Sequence, residues 1–273
     1  MQINQENSSV NDITISIVGG TGGMGKLFAK IFKNYAKEVI ICSRNIAKAK
    51  KVAKSLNVSA WPLEECNKAD VVLVSIPIEE TYKVCKEISE KMKKGTLLIE
   101  LSSVKRGIAD KLSKDLKEKG IYYLSLHPLF GPRIKSLKGK KIVTIRSNKN
   151  IKVEKILRFF VLKKTTIIES NVEEHDKFMA TIQVAHHFMY LGYLTMEKYY
   201  DMNSMKEFAT ESFKRTLKTL KMIKENRDTI LTIQKLNPYS EEARSRFIEG
   251  LSKIRKMDSN SVELIHESLD RWN

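Results

Sequence analysis

The chain has 273 residues, 42% of them hydrophobic, which is enough to build a sizeable core in one large domain or in two domains of ordinary size. Lysine and arginine outnumber aspartate and glutamate by 49 to 32, but basic and acidic residues are interspersed and no basic tail occurs. A net charge of +17 is compatible with nucleic acid, an acidic membrane surface or an anionic small molecule as partner. The interspersed pattern is typical of a solvated charged surface and argues against nucleic acid, so we expect an anionic small molecule as the ligand.

Neither a membrane segment nor a disulfide framework is predicted. The longest apolar stretch, about residues 71–78, is too short to cross a bilayer, and the polar N-terminus lacks the apolar core of a signal peptide. Cys42, Cys66 and Cys85 include no CxxC pair and match no zinc-site spacing. We therefore expect a soluble cytoplasmic protein with reduced cysteines, no bound metal and no membrane partner.

The first half of the chain alternates predicted strands with predicted helices. Short β-branched or apolar runs predict the strands, and apolar residues at helical spacing predict the helices. Because these strands are continuous apolar runs, they indicate a parallel sheet covered on both faces. The predicted strands are 13–18, 39–42, 71–76, 96–101, 121–126, 142–145 and 165–169, and the predicted helices are 24–35, 47–56, 79–92 and 106–119.

The pattern changes near residue 170, beyond which we find no convincing strand. The sequence therefore predicts an α/β fold: an N-terminal Rossmann-like doubly wound sheet, residues 1–170, followed by an all-α C-terminal domain, residues 171–273. The helical part carries more apolar surface than packing on one small domain needs, so we expect it to form a homodimer. Helical periodicity extends over 173–200, 205–225, 239–255 and 262–272.

The clearest motif is a glycine-rich turn that follows the first predicted strand and opens the first predicted helix. In a dinucleotide-binding turn of this G-x-G-x-x-G type, Gly20 permits the tight turn, Gly22 lets the backbone approach a pyrophosphate, and Gly25 allows close packing of helix on strand. The N–H groups at the helix start then face the negative charge. We predict that the cofactor contacts Gly20, Thr21, Gly22, Gly23, Met24 and Gly25.

The end of the second predicted strand favours NADP over NAD. An NAD-binding domain usually carries an acidic residue there, which accepts hydrogen bonds from the ribose 2′-hydroxyl. This chain instead has Ser43 and Arg44, a hydroxyl donor and a fixed cation that suit the 2′-phosphate of NADP. We also place Ser75, Ile76 and Pro77, around the end of the third predicted strand, in the cofactor site.

Three further motifs occur where the active site of such a fold belongs, at or just beyond the C-terminal ends of strands. They are LSSVK at 101–105, HPLFGP at 127–132, and EEHD at 173–176, which leads into QVAHH at 183–187. Together with the GGTGGMG turn, their order and spacing resemble the prephenate dehydrogenase family, which includes the arogenate dehydrogenases. The resemblance covers about residues 13–200.

The resemblance implies a monofunctional, short-form enzyme of tyrosine biosynthesis, which oxidatively decarboxylates prephenate to 4-hydroxyphenylpyruvate or arogenate to tyrosine. No motif distinguishes these two substrates. His127 matches the family histidine that takes the proton from the substrate's ring hydroxyl, while hydride leaves for the nicotinamide and the ring carboxylate departs as carbon dioxide. Ser103 matches the serine that hydrogen-bonds near the histidine and the nicotinamide. Lys105 either attracts the substrate carboxylates or orients its loop.

Further family residues fall in the predicted helical domain, whose role in dimer formation the resemblance also implies. The substrate-domain histidine of the family matches His187 best. His187 lies 12 residues beyond His175 on one predicted helix, which offsets it by about 120°, and Gln183 lies one turn earlier as a second substrate-binding residue. We expect His175 and Asp176 to fix the start of that helix, where an acidic residue favours the helix dipole.

One expected cation is absent from the sequence. Most members of the family carry an arginine that pairs with the ring carboxylate of the substrate, and its position aligns near Lys221 and Met222. Methionine cannot pair with a carboxylate, so another cation must compensate or the substrate must differ. We take Lys221 and Arg133 as candidates for substrate binding, with Arg215 and Arg227 nearby if the alignment shifts.

Two alternatives stay open at this stage. Deazaflavin-dependent NADP reductases share the GGTG turn and the Ser-Arg pair, so the chain could be another NADP oxidoreductase, although the HPLFGP and EEHD motifs argue against it. The missing arginine also permits a non-catalytic, NADP-binding regulatory protein, which would bind the cofactor tightly without turnover.

Overall fold

The computed structural model describes residues 10–146, 150–199, 201 and 204–272. The chain divides into two compact units, one ending at His175 and the other beginning at Asp176. Most of the predicted polar leader, at residues 1–9, and the predicted helix end at Tyr200 lie outside the described residues. Within those residues no helix is both long and apolar enough to cross a membrane.

The first unit contains one eight-stranded sheet with the order β3-β2-β1-β4-β5-β6-β7-β8. All neighbouring strands pair in parallel except β6 and β7, which are antiparallel. The strands are β1 Thr14–Val18, β2 Glu38–Ser43, β3 Ser59–Pro62, β4 Val71–Val74, β5 Leu97–Glu100, β6 Tyr122–Pro128, β7 Lys141–Arg146 and β8 Thr166–Glu169.

The predicted parallel, doubly wound sheet is confirmed, with one antiparallel pairing at its edge, where β7 and β8 run opposite to the other six strands. A parallel crossover needs a dozen or more residues, usually as a helix, whereas an antiparallel neighbour needs only a loop. Residues 129–140 between β6 and β7 form no helix, so the chain turns back antiparallel. The edge strand β3 was missed because its Ser-Ala-Trp-Pro sequence is half-exposed and has no apolar run.

Five helices accompany these strands in the part of the first unit that the structure describes, and a sixth begins near its end. The prediction missed α5 because exposed Val161 and Leu162 extend its apolar face and blur the helical period. The helices are α1 Gly23–Phe32, α2 Ile46–Leu56, α3 Ile78–Ser89, α4 Ala109–Glu118, α5 Ile151–Leu162 and α6 Val172–Met179.

An aromatic cluster joins the first helix to the fifth on one face of the sheet. Phe28 and Phe32 of α1 lie against Phe160 of α5, with ring centroids 6.1 and 5.8 Å away, and Phe32 also lies 5.0 Å from Phe159. Phe28, Phe32 and Phe160 are completely buried. Because α1 carries the glycine turn at its start, this packing fixes the helix that presents the turn.

The strand order reverses direction between β1 and β4, which lie side by side at the centre of the sheet. The chain moves outward from β1 through β2 and β3 on one side, and from β4 through β5 and β6 on the other. Open α/β sheets bind ligands at the carboxyl ends of the strands where such a reversal occurs. The glycine turn follows β1, so it lies at this switch point.

The second unit is helical in all the segments that the structure describes. The prediction missed α9, and it merged α6, a π-helical turn at Ala180–Ala185, α7 and a 3-10 turn at Thr195–Lys198 into one helix. A second 3-10 turn spans Ser204–Phe208. The remaining helices are α7 His186–Leu194, α8 Glu211–Glu225, α9 Arg227–Leu236, α10 Ser240–Ile254 and α11 Ser259–Asp270.

We predict that Phe160→Ala lowers the free energy of unfolding by about 3–5 kcal/mol, because it removes a completely buried ring and leaves a cavity. The neighbouring Val161→Ala is the matched control, since Val161 is 55% exposed, and its effect is expected within about 0.5 kcal/mol. Urea denaturation followed by circular dichroism measures both. Equal losses in the two variants would show that the aromatic cluster does not stabilise α1.

Candidate active site

The turn after β1 takes its shape from Gly19. Gly19 has a φ of +79°, and a Cβ built on it would lie 2.1 Å from the carbonyl oxygen of Ser75, so no other residue fits. The prediction that Gly20 supplies the tight turn is therefore wrong. Glycine is required at position 20 by close packing and not by the backbone conformation, because a Cβ there would lie 2.8 Å from the Cγ2 of Ile41 on β2.

The next glycines shape a backbone cradle at the start of α1. A Cβ on Gly25 would lie 2.4 Å from the carbonyl oxygen of Gly19, which explains the close packing of the helix on the turn. A Cβ on Gly22 would approach no atom except that same oxygen, at 3.3 Å, so its outer side is open. The first turn of α1 has no acidic residue and no side-chain cap, which leaves its N–H groups for an anion.

The end of β2 presents a cation beside this cradle, since β2 pairs with β1. The backbone N–H of Asn45 donates to the hydroxyl of Ser43, and the Asn45 side chain caps α2 by accepting from the N–H of Lys48 at 2.9 Å. Arg44, between them, is exposed, and its guanidinium makes no hydrogen bond or ion pair with any residue that the structure describes. This arrangement fits a 2′-phosphate.

Two other strand ends meet the glycine turn. The N–H of Ser75 donates to the carbonyl of Val18 at 2.8 Å, and Ile76 lies in contact range of Gly19, so the segment after β4 packs on the turn. Pro77 begins α3 next to this segment. On the other side, a Cβ on Gly23 would lie 3.1 Å from the ring of Pro132. The loop after β6 therefore closes over the start of α1.

The carboxyl end of β5 holds a buried polar cluster. The carboxylate of Glu100, completely buried, accepts hydrogen bonds from the N–H and hydroxyl of Ser102, the hydroxyl of Ser125, the phenol of Tyr123 at 3.2 Å and the ammonium of Lys105 at 3.0 Å. Burial, with the charge of Glu100, raises the pKa of Tyr123, so its phenol stays a donor. The prediction had no role for Glu100, although a carboxylate that ends an apolar strand is a readable signal.

Lys105 is buried as deeply as Glu100, the carboxylate to which it donates. Its Nζ donates to Glu100 and, at 3.0 Å, to the carbonyl oxygen of Leu126, the residue that precedes His127. Two roles were open for this lysine, attraction of the substrate carboxylates or orientation of its loop. Because the ammonium is enclosed and paired, the geometry supports orientation and argues against substrate contact.

His127 lies near the end of β6 and is buried, with 3% of its surface exposed. Its Nδ1 lies 2.9 Å from the Nε2 of His175, which is 2% exposed, and the two rings meet edge to face. Burial, then His175 and Lys105, hold the pKa of His127 well below its usual range. The imidazole is therefore neutral at neutral pH. The prediction had assigned His175 to the helix start, and no sequence signal linked it to His127.

Ser103 directly follows Ser102 in the segment between Glu100 and Lys105. It is half-buried, and its hydroxyl makes no hydrogen bond within the part of the chain that the structure describes. The hydroxyl that joins the buried cluster is that of Ser102. The role expected for Ser103, a hydrogen bond near the histidine and the nicotinamide, stays a prediction.

In the second unit, the π-helical turn at Ala180–Ala185 precedes the predicted substrate-binding histidine. The Nδ1 of His187 is buried and has no hydrogen-bond partner within the described residues, and burial followed by the charge of His186 lowers the pKa of His187 to about 4. Gln183, within the turn, is half-buried. Because the turn is not α-helical, the expected offset of about 120° between His175 and His187, which assumed 3.6 residues per turn, does not hold.

Two side-chain amides, Gln234 of α9 and Asn237 directly after it, bind the turn and the helix α6 that precedes it. The Nε2 of Gln234 donates to the carbonyl of Val184 at 2.8 Å, and the Nδ2 of Asn237 donates to the carbonyl of Asp176 at 2.9 Å. Arg244 of α10 in turn donates to the backbone carbonyl of Gln234 at 2.8 Å. Side-chain donors thus form hydrogen bonds with backbone carbonyls in and beside the irregular turn.

The cations that were considered for the missing arginine are all exposed. The buried face of α8 presents Leu220 and Ile223, while Lys221 and Met222 lie outside it. Arg133, after the loop of Pro132, is exposed as well. Within their own units, Arg133 and Lys221 therefore lie at the surface and not in a buried site. Their role in substrate binding stays a prediction.

Comparison with known proteins identifies the family. A family model for the prephenate dehydrogenase nucleotide-binding domain matches residues 28–169, and one for the prephenate dehydrogenase dimerization domain matches residues 171–271. A probable arogenate/prephenate dehydrogenase of Methanocaldococcus jannaschii is 31% identical over 257 residues, which cover 91% of this chain and 57% of that protein. The T-protein of Haemophilus influenzae is 31% identical over 184 residues, covering 67% of this chain and 44% of that protein.

A solved structure shares the fold. The prephenate dehydrogenase of A. aeolicus, in complex with hydroxyphenyl propionate and NAD+, superposes with a TM-score of 0.71 at 17% identity and covers 95% of this chain and 96% of that one. The chain spans about half the length of the curated relatives that it matches. The two family models nevertheless cover its two halves in the order of the two units described above. The chain belongs to the prephenate dehydrogenase family.

Proposed function

We propose that this chain catalyses the NADP-dependent oxidative decarboxylation of prephenate to 4-hydroxyphenylpyruvate, or of arogenate to tyrosine. The observation that carries this function is the neutral, buried His127 near the end of β6, the strand whose following loop packs Pro132 on the glycine turn. This arrangement supports a proton acceptor near a dinucleotide cradle. The family membership supports the same chemistry.

The reaction needs a base that is unprotonated at working pH. His127 meets this need because its lowered pKa keeps the imidazole neutral, and it takes the proton of the substrate's ring hydroxyl. The carbinol carbon becomes a carbonyl carbon as its hydride leaves for the nicotinamide. The ring carboxylate then leaves as carbon dioxide, its bonding electrons pass through the ring to the carbonyl oxygen, and the protonated His127 returns the proton to give the aromatic hydroxyl. A bound nicotinamide supplies the hydride acceptor. Lys105 and Glu100 fix the strand end that carries the base.

The preference for NADP rests on the end of β2. The exposed guanidinium of Arg44, which has no partner among the described residues, and the hydroxyl of Ser43 suit a 2′-phosphate. The sequence around them has no acidic residue that would repel this phosphate. The open side of Gly22 and the start of α1 suit the pyrophosphate. Ser75, Ile76 and Pro77 would line the same cofactor, because they pack beside the turn.

The helical unit would contribute substrate binding and the dimer contact. The buried Nδ1 of His187, which has no partner in the part of the chain that the structure describes, is suited to a hydrogen bond with a polar substrate, and we place Gln183 with it. Large apolar side chains such as Ile248, Leu251 and Leu269 are about half-exposed or more, and the unit matches a dimerization domain. We propose that a homodimer covers these side chains.

We expect His127→Ala to reduce kcat by about 10²- to 10⁴-fold while the affinity for NADP is unchanged, because the variant removes the base and leaves the cradle intact. Reduced cofactor is followed by absorbance with prephenate and with arogenate, and His266→Ala, an exposed histidine of α11, is the control. Turnover that survives in His127→Ala would remove the proposed base. Tight NADP binding by the wild type without turnover of either substrate would favour the non-catalytic alternative.

Arg44→Ala should weaken NADP binding by about 10- to 100-fold and leave NAD binding unchanged, since hydrogen bonds to a charged group contribute about 1.5–3 kcal/mol. Titration calorimetry with each dinucleotide measures the two affinities. Lys50→Ala, an exposed lysine of α2, controls for the loss of a nearby positive charge. Equal weakening of NADP and NAD binding would contradict recognition of the 2′-phosphate.

The pH dependence of kcat/KM follows from the lowered pKa of His127. A base works in its neutral form, so activity is present above its folded-state pKa and is lost as the pH falls through that value. Because burial, His175 and Lys105 hold this pKa well below 6.5, kcat/KM should stay level from neutral pH to below pH 6.5. An acidic limb centred at or above pH 6.5 would show that another group, or a solvated histidine, is the base.

A further inference from the structure

We infer that His175 is a positioning residue for this reaction: it holds the imidazole of His127 in the tautomer whose Nε2 can accept the substrate proton. This role rests on the proposed function, since it acts through the proposed base.

The contact itself is specific. The Nδ1 of His127 and the Nε2 of His175 are 2.9 Å apart, which is a hydrogen-bond distance between two ring nitrogens. Both histidines are almost completely buried. His175 is held in α6, where its N–H donates to the carbonyl of Asn171 at 3.0 Å. A neutral imidazole has one donor and one acceptor nitrogen, so a single proton lies between the two facing nitrogens.

The proton can lie on either side, and only one arrangement supports catalysis. If His175 donated its proton, His127 would carry its own proton on Nε2 and could not accept another there. If Nδ1 of His127 donates to Nε2 of His175, the Nε2 of His127 keeps its lone pair. Nδ1 is turned toward His175, so Nε2 is the nitrogen that can meet the substrate. A working base therefore requires His175 as the hydrogen-bond acceptor.

The surrounding charges explain why a neutral acceptor suits this position. Lys105, after β5, donates to the carbonyl of Leu126 just before His127, while Glu100 of β5 and Tyr123 of β6 are bound to each other. A carboxylate in place of His175 would attract a proton and raise the pKa of His127. The imidazole of His175 fixes the same tautomer of His127 without adding a negative charge. When His127 becomes charged, its Nδ1–H bond to His175 strengthens.

Three substitutions separate orientation from packing. His175→Leu removes the acceptor, and we expect kcat to fall about 10- to 100-fold with little change in the KM for NADP, as for other residues that orient a functional histidine. His175→Gln keeps an acceptor oxygen at the end of a side chain of similar reach and should retain most of the activity. His175→Glu should move the acidic limb of kcat/KM to higher pH. His266→Leu is the matched histidine control.

Thermal unfolding and NADP binding establish that each variant is folded. Loss of activity in His175→Leu, rescue in His175→Gln and an upward pH shift in His175→Glu together support the positioning role. Full activity in folded His175→Leu overturns it. Equal loss in the Leu and Gln variants, with an unchanged pH profile in the Glu variant, also overturns it, because packing alone would give that result.

A measurement without substrate keeps this role testable if the wild type turns over neither prephenate nor arogenate, which would refute the proposed function alone. Nitrogen-15 chemical shifts report which ring nitrogen of His127 carries the proton. We expect the proton on Nδ1 in the wild type and in His175→Gln, and a shift toward Nε2 in His175→Leu. A wild-type His127 protonated on Nε2, or one whose tautomer is unaffected in His175→Leu, overturns the inference.

Discussion

A carboxylate and an ammonium buried together at the end of β5 hold the candidate active site in place. Glu100 accepts hydrogen bonds from Ser102, Tyr123, Ser125 and Lys105, so protein groups compensate its charge. Removing one partner of such a buried pair costs roughly 3–5 kcal/mol, because the other charge is left without compensation. The pair therefore ties the strand ends β5 and β6 into one rigid platform.

The same pair determines the electrostatics of the proposed base. Because Lys105 also donates to Leu126, its positive charge lies one residue from His127 and disfavours a second positive charge there. Burial acts in the same direction. A nearby carboxylate would oppose both effects, but Glu100 is occupied by its own donors. Burial and the charge of Lys105 thus keep His127 neutral. In the inference above, its orientation is left to the imidazole of His175 and not to a carboxylate.

The sequence predicted the features that depend on local pattern. Buried apolar runs located β1, β4 and β5, and the glycine turn was placed correctly between β1 and α1 because its spacing is fixed by short-range geometry. Features that depend on distant contacts were missed. The pairing of His127 with His175 joins residues 48 positions apart, and the enclosure of the Lys105 ammonium depends on the ends of β5 and β6 meeting. No local window of sequence contains either contact.

In the helical unit, the π-helical turn and His187 after it lower stability at a candidate substrate-binding position. A buried nitrogen without a partner, such as Nδ1 of His187, costs about 1–3 kcal/mol in a folded protein, and an irregular turn costs regular backbone hydrogen bonds. Gln234 and Asn237 offset only the second cost, since they donate to backbone carbonyls. With a pKa near 4, His187 is neutral and can form a hydrogen bond but cannot neutralise a carboxylate. Recognition of substrate charge therefore requires a cation, which neither His187 nor the apolar buried face of α8 provides.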